Sequence, residues 1–321
     1  MTSDRRALLL QTKLAALVRD RWGHDDLELG PFPGGAVGLA GERGFVLAED
    51  RGDRSLGGAL AWAKRNAVDD LHVLAETGAG TLARQAQAFD PAPTVWQVDG
   101  RELVEPTAEP LPPPGVPDER ALAFAPMLAE GGARPWVEHD GTVVGEVLGL
   151  EVARVVDGEL QVGVGKHDRE AHRELLDHGQ RVDDVRRVVE EVRRKRRDER
   201  HPLSRVSLER WLAEALVAHP AWIGATEVER RPSLVLRDDL RDRAPAPAVG
   251  DGAVAVCSVG LDPELVPLAA DLRNLYDPRA RLVVVVPEGD DHPSMRSLAE
   301  MLRDPAEVVT VRKDWREAPV D

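Results

Sequence analysis

The feature that most constrains the fold is a regular alternation of short apolar strands and helices near both ends of the chain. The continuously apolar run at 282–286 (LVVVV) is typical of a strand that is covered on both of its faces. Strands that alternate with helices of about 10–15 residues predict βαβ units and parallel sheets. We therefore predict an α/β fold for both outer parts of the chain.

The two outer parts share one order of predicted elements, which is strand, helix, strand, helix, strand. The N-terminal set is Gly44–Glu49, Leu56–Asn66, Leu71–Glu76, Ala79–Phe89 and Thr94–Val98. The C-terminal set is Ala253–Val259, Pro263–Leu275, Leu282–Glu288, His292–Arg303 and Glu307–Val311. The match indicates an ancient duplication or two halves of one sheet, although any two βαβαβ units look alike in sequence pattern.

Two proline-rich stretches divide the chain of 321 residues, which is longer than one typical domain. Residues 105–117 and 243–252 contain too much proline for a helix or a central strand, so we interpret both as linkers. The predicted segments are 1–104, 118–240 and 252–321. The first and last are the α/β segments, and the middle one is α+β.

The middle segment is predicted to begin with a helix from Asp118, its N-cap, to Glu130. The pairs Asp140-Gly141 and Asp157-Gly158 are strong hairpin signals, because a type I′ turn needs positive φ at both central residues. We therefore predict a three-stranded antiparallel meander followed by helices. The strands are Trp136–His139, Thr142–Val156 and Glu159–Lys166, and the helices are Arg169–Leu176, Val182–Arg197 and Ser207–Val217.

The second hairpin places a carboxylate near an ammonium group. A two-residue turn at Asp157-Gly158 sets Glu151 opposite Val164 and Gly149 opposite Lys166. Because side chains alternate along a strand, Glu151 and Lys166 would then be diagonal neighbours on one face. A functional site and a cross-strand ion pair both explain this arrangement.

Residues 118–176, with a helix, a three-stranded meander and a helix, resemble the opening of the restriction-endonuclease-like (PD-(D/E)XK) superfamily. Members carry an acid on the second strand and an acid-x-Lys triplet on the third. The resemblance implies catalytic roles for Glu151 and Lys166, with Mg²⁺ as the cofactor that activates water. The triplet here reads Val164-Gly165-Lys166, so the second acid is missing unless Asp168 replaces it. The resemblance thus implies a nucleic-acid-associated protein with a degenerate site.

Basic residues concentrate in the predicted helix Val182–Arg197. Its valines share one face, which would turn Arg193, Arg194, Arg196 and Arg197 outward as a nucleic-acid-binding surface. Interleaved acids also fit a solvated helix with i,i+4 ion pairs. The net charge of −15 disfavours extended contact with DNA or an anionic membrane.

Other patterns are candidate ligand sites or ordinary caps and loops. Residues 78–83 (GAGTLA), with Asp99 beyond them, match the dinucleotide-binding pattern G-x-G-x-x-A. Carboxylates and histidines that could ligate a metal form three groups. These are Glu49, Asp50 and Glu76; Glu288, Asp290 and Asp291; and His139, His167 and Asp168.

The remaining composition excludes some classes of protein. Cys257 is the only cysteine, which excludes an internal disulfide and multi-cysteine zinc sites, and its apolar neighbours favour a buried, inert thiol. The sequence contains no run of about 18 apolar residues, so it predicts no membrane span. Leu10, Leu14 and Leu17 share one helical face, so we expect an N-terminal helix rather than a targeting peptide, in a cytoplasmic protein.

The sequence leaves two main functional hypotheses, with a nucleotide-dependent enzyme that uses the loop 78–83 as a third, and it does not decide whether the chain is an enzyme. The first is the nucleic-acid-associated protein with a degenerate restriction-endonuclease-like site at Glu151 and Lys166. The second is a non-catalytic binding or scaffold protein that acts through a protein partner, a second copy of the chain or a small nucleotide. The discriminating feature is whether Glu151 and Lys166 line an open cleft, since a fold by itself does not define a function.

Overall fold

The computed structural model describes residues 3–50, 52–175, 182–236 and 239–317. It is a mixed α/β structure with three sheets, as the sequence predicts. Two compact units share the chain. The first unit comprises Met1–Leu111, Leu261–Asn274 and His292–Glu307, and the second comprises Pro112–Gly260, Leu275–Asp291 and Val308–Asp321.

The N-terminal part forms a six-stranded mixed sheet. Its elements are α1 (Ser3–Trp22), β1 (Glu28–Phe32), β2 (Gly35–Ala40), β3 (Arg43–Ala48), α2 (Leu56–Arg65), β4 (Asp70–Ala75), α3 (Ala79–Ala86), β5 (Thr94–Asp99) and β6 (Glu102–Val104). The strands lie in sequence order, with β3, β4 and β5 parallel and the outer pairs antiparallel. The predicted βαβαβ unit is confirmed. Strands β1, β2 and β6 were missed, because β1 contains glycine and proline, β2 contains two glycines, and β6 has only three residues.

The predicted N-terminal helix is confirmed as α1. Leu10, Leu14, Leu17 and Val18 are buried in one core cluster with Phe45. In the described part of the chain, no helix is long and apolar enough to cross a membrane.

The middle part contains an antiparallel sheet and helices. Its elements are α4 (Glu119–Leu122), α5 (Ala125–Glu130), β7 (Arg134–Val137), β8 (Val143–Val147), β9 (Leu150–Val156), β10 (Glu159–Val162), α6 (Gly165–Leu175), α7 (Val182–Arg197) and α8 (Leu208–Ala218). The sheet order is β10-β9-β8-β7. Asp118 caps α4 as predicted, because its Oδ1 accepts the Arg120 amide at 2.8 Å. The predicted helix through Glu130 is two short helices, and Leu176 lies outside the described residues.

The predicted strand Thr142–Val156 is two strands, so the meander has four strands rather than three. The chain reverses at Leu148-Gly149, where φ is 49° and 71°. Two successive positive φ values define a type I′ turn. An Asp-Gly pair predicts this turn from sequence, whereas a Leu-Gly pair does not. This hairpin joins β8 to β9.

The C-terminal part forms a five-stranded mixed sheet. Its elements are β11 (Glu229–Arg230), β12 (Ala246–Gly250), β13 (Ala253–Cys257), α9 (Leu265–Tyr276), β14 (Arg281–Pro287), α10 (Pro293–Glu300) and β15 (Glu307–Val311). The order is β11-β12-β13-β14-β15, with β13 parallel to β14 and β12 antiparallel to both of its neighbours. The predicted linker 243–252 was therefore wrong, since it contains β12. Pro247 lacks an N–H but its carbonyl accepts the Arg231 amide at 2.9 Å.

The two mixed sheets repeat one order of elements. A helix, three antiparallel strands, and then helix–strand–helix–strand run from α1 to β5 and again from α8 to β15. The five repeated strands keep the same order in each sheet. The two parts are separate sheets rather than halves of one, and the repeat is the arrangement that a duplication predicts.

Candidate binding cleft

A cleft of about 330 Å³ lies beside the antiparallel sheet, within the second compact unit. Residues of β9, of the first turns of α6 and of the start of α8 form its walls. The lining residues are Glu138, Glu151, Arg154, Val164, Gly165, Lys166, His167, Arg169, Ser207, Arg210, Asp239 and Leu240. Glu151 and Lys166, predicted as catalytic residues, both line this cleft.

Lys166 lies on α6 and not on a strand, so this part of the prediction was wrong. The predicted register holds from Val156 opposite Glu159 to Val162 opposite Ala153, where β10 ends. Gly163 (φ 142°) and Gly165 (φ 78°) then turn the chain into α6. Glycine adopts such angles readily, and the G-x-G pattern at 163–165 was the signal for this turn.

Glu151 binds two arginines rather than Lys166. Nε and Nη2 of Arg154 donate to its two carboxylate oxygens at 2.9 and 2.8 Å, and Nη1 of Arg169 donates to Oε1 at 2.7 Å. The predicted Glu151–Lys166 ion pair is therefore wrong. Within the described residues, the exposed Lys166 has no ion-pair partner.

The two arginines respond differently to this environment. The hydrogen bond to Glu151 raises the pKa of Arg154, whereas burial lowers the pKa of Arg169 despite the same carboxylate. One carboxylate thus serves two guanidinium groups, and the Lys166 ammonium is nearby on the same cleft. This group of side chains has a surplus of positive charge.

Asp168 does not replace the missing acid of the triplet. Its Oδ2 accepts the Val164 amide at 2.7 Å, which stabilises the first turn of α6. Because the lone cleft carboxylate on β9, Glu151, already accepts from two arginines, the residues present do not fit a Mg²⁺ ion.

The predicted histidine metal site is not assembled either. His139 is buried with Nε2 at 3.0 Å from the Pro112 carbonyl, whereas the side chain of His167 is 99% exposed. Among the residues that the structure describes, no three His, Cys, Asp or Glu side chains are placed to hold a metal.

A buried network of charges lies behind one wall of the cleft. Arg210 pairs with Glu138 at 2.6 Å and with Glu146, and Arg230 pairs with Glu146 and Glu214, each at 2.8 Å. Burial alone would raise the pKa of Glu146, but Arg230 and Arg210 outweigh it and lower this pKa to about 2. The network therefore keeps Glu146 ionised and holds Arg210 at the cleft.

The basic helix α7 forms over the predicted residues, and its Val185, Val188, Val189 and Val192 are buried. Arg196 is also buried, at 1% exposure, so its assignment to a nucleic-acid-binding surface was wrong. It follows Val192 by four residues and so continues the buried face. Nη1 of Arg196 donates to the Leu203 carbonyl at 2.7 Å, and its guanidinium lies 4.6 Å from the centre of the Trp211 ring. The other three predicted arginines, Arg193, Arg194 and Arg197, are exposed, and none of them lines the cleft.

The loop that resembles a dinucleotide-binding motif is covered by a carboxylate. The Glu109 amide donates to the Gly80 carbonyl at 3.0 Å, and Oε2 of Glu109 accepts from the Thr81 hydroxyl at 3.0 Å. In the sheet, Asp99 lies opposite Glu102 of the neighbouring strand β6. An acidic side chain therefore stands where this motif would place a phosphate.

Most of the carboxylates at the strand ends have protein partners. Arg6 binds Glu49 at 2.8 Å and Asp50 at 2.6 Å, and Lys13 binds Glu76. In the second group, Asp290 accepts the Gly260 amide at 2.8 Å. Cys257 is fully buried as predicted, and burial raises the pKa of its thiol.

Sequence reasoning missed Arg154, Arg169, Ser207 and Arg210 as residues of the cleft. Arg154 had a visible signal, because it is the one basic residue in the apolar strand LEVARVV. The others depend on contacts between distant segments. The chain matches no protein-family model, no curated protein and no solved structure.

Proposed function

We propose that this protein binds the phosphate group of a nucleotide or nucleic acid in the cleft and does not hydrolyse it. The observation that carries the proposal is the cluster of Arg154, Lys166 and Arg169 around a single carboxylate, Glu151. In a chain with a net charge of −15, such a local excess of cations favours an anionic ligand.

The other charged residues of the cleft reduce this excess without reversing it, because the four lining cations outnumber the three lining carboxylates by one. Glu138 is paired with Arg210 at 2.6 Å, and Oδ1 of Asp239 accepts the Arg241 amide at 2.9 Å. Arginine guanidinium groups match phosphate oxygens in geometry, and a lysine adds a mobile point charge. Lys166, exposed and without an ion-pair partner among the described residues, is the group best able to meet a ligand.

The absence of hydrolysis follows from the donor set. A nuclease of the resembled type needs carboxylates free to hold Mg²⁺, but Glu151 is bound by two arginines and Asp168 by the Val164 amide. The cleft volume of about 330 Å³ is at the small end for a ligand pocket and suits one nucleotide-sized group.

The test is binding of a short 5′-phosphorylated single-stranded oligonucleotide and of adenosine 5′-monophosphate at about 50 mM salt. We expect Lys166→Ala to weaken binding by about 1 kcal/mol, or about fivefold in Kd. Lys64→Ala, at an exposed lysine in the other compact unit, is the matched control and should bind normally. If the wild type binds neither ligand, the proposal is rejected. Cleavage of the oligonucleotide that depends on Mg²⁺ would reject only the statement that the protein does not hydrolyse its ligand.

The exposed arginines of α7 are tested separately. Arg193→Ala, Arg194→Ala and Arg197→Ala, combined in one variant, leave every cleft residue unchanged. If α7 adds phosphate contacts, this variant weakens binding of the oligonucleotide but not of the mononucleotide. If this variant binds both ligands as tightly as the wild type does, phosphate binding is restricted to the cleft.

A further inference from the structure

The cleft has a second wall, which is separate from the cations Arg154, Lys166 and Arg169. Ser207 lines it and is only 5% exposed, yet no described residue hydrogen-bonds to its hydroxyl. Ser207 is the N-cap of α8, but its side chain does not cap the helix. Its hydroxyl oxygen is not fully buried, so it opens onto the cleft and is available to a ligand there.

The start of α8 adds to this wall. The first amides of a helix have no acceptor within it, and the helix dipole places partial positive charge there. Helix α8 has 11 residues, and its third residue, Arg210, also lines the cleft. The Ser207 hydroxyl and the N-terminus of α8 therefore offer neutral and cationic donors together.

We infer that the cleft selects a terminal phosphate monoester over an internal phosphodiester, and that Ser207 determines this specificity. The inference rests on the proposed function. A monoester presents three unesterified oxygens and about one extra negative charge, so it can accept from the Arg154, Lys166 and Arg169 wall and from the Ser207 wall at once. A phosphodiester has only two such oxygens and would leave donors of one wall unsatisfied.

The experiment measures Kd for three ligands at about 50 mM salt. They are a short single-stranded oligonucleotide with a 5′-phosphate, the same oligonucleotide without it, and adenosine 5′-monophosphate. We expect the wild type to bind the phosphorylated oligonucleotide at least about tenfold tighter than the unphosphorylated one. Tight binding of the mononucleotide would identify free nucleotides as the source of the phosphate, and its weak binding would identify the ends of nucleic acids.

Ser207→Ala and Ser207→Gly together separate ligand binding from folding. Ser207 has φ 50° and ψ 40°, a left-handed conformation that costs alanine more than glycine. The two variants should therefore differ in stability, while both lose about fivefold in affinity for the phosphorylated oligonucleotide and nothing for the unphosphorylated one. Lys64→Ala remains the control.

Two results would overturn the inference and leave the proposed function standing. One is equal affinity of the wild type for the phosphorylated and unphosphorylated oligonucleotides. The other is unchanged affinity in the Ser207→Gly variant. If the wild type binds none of the three ligands, both the inference and the proposed function are rejected.

Discussion

Nη1 of Arg169 donates to Oε1 of Glu151 at 2.7 Å and so links α6 to β9 at the wall of the cleft. Arg154 holds the same carboxylate from its own strand. Glu151 therefore organises cations, which is a different role from the metal ligand that the sequence resemblance implied. The first prediction follows from this difference.

Glu151→Gln should increase affinity for a phosphate ligand and decrease stability. The change removes the one negative charge between Arg154 and Arg169, so their guanidinium groups attract an anion more strongly. The carboxylate accepts three hydrogen bonds from these arginines, and an uncharged amide weakens them, which should lower the free energy of unfolding by about 1–3 kcal/mol. Urea unfolding and titration with adenosine 5′-monophosphate measure the two effects.

The control for this variant is Glu159→Gln on the neighbouring strand β10, where the side chain is exposed. It should change neither quantity. Weaker ligand binding in Glu151→Gln, with folding intact, would mean that the carboxylate itself contacts the ligand or its counter-ion.

The Glu146 carboxylate should make stability depend on acid pH. Its pKa is lowered from 4.5 to about 2 in the folded chain, so its contribution is complete above about pH 4.5 and is lost as pH falls towards 2. The shift corresponds to about 3 kcal/mol. Glu146→Gln should remove this part of the pH dependence and lower stability at pH 7, because it leaves Arg210 and Arg230 without their shared partner.

Urea unfolding of the wild type and Glu146→Gln at intervals between pH 2 and 6 provides the measurement. Glu214 acts in a different pH range. Burial raises its pKa above 4.5, so its ionisation destabilises the folded chain as pH rises above that value. Parallel stability curves for the wild type and Glu146→Gln below pH 4.5 would contradict the prediction.

The turn at Gly149 should tolerate no side chain. A Cβ at this position would lie 2.4 Å from the Trp211 amide nitrogen, in addition to the strain of a φ of 71°. Gly149→Ala should therefore lower the free energy of unfolding by about 3 kcal/mol or more and displace the start of α8, which lines the cleft. Ligand affinity should fall in parallel.

Gly158→Ala is the matched control, because φ is 79° there and a Cβ would meet nothing within 4 Å. It should cost only the conformational strain, about 1–2 kcal/mol, and leave ligand affinity unchanged. Equal destabilisation by both substitutions would show that backbone strain alone, and not contact with α8, is measured at Gly149.

Local pattern was sufficient for elements whose signal lies within a few residues. The run LVVVV forms β14, the valine stripe forms α7 over Val182–Arg197, and the Asp157-Gly158 pair sets the register of β9 with β10. These features depend on side-chain alternation, helical period and turn geometry, which the sequence records directly. The strand, helix, strand, helix, strand order in both outer parts was predicted for the same reason, whereas the added strands β1, β2, β6, β11 and β12 were not.

Tertiary structure decided what the charged residues do. The pattern placed Arg196 outside and Lys166 on a strand, yet Arg196 is buried against Trp211 and Lys166 lies on α6. Arg169 reaches Glu151 from 18 residues away in sequence. Ser207 lines the same cleft from a segment about 56 residues from Glu151, and no local period encodes such meetings. The sequence by itself therefore determined the layers of the fold, and only packing between distant segments assembled the cleft, because charge pairing acts through space rather than along the chain.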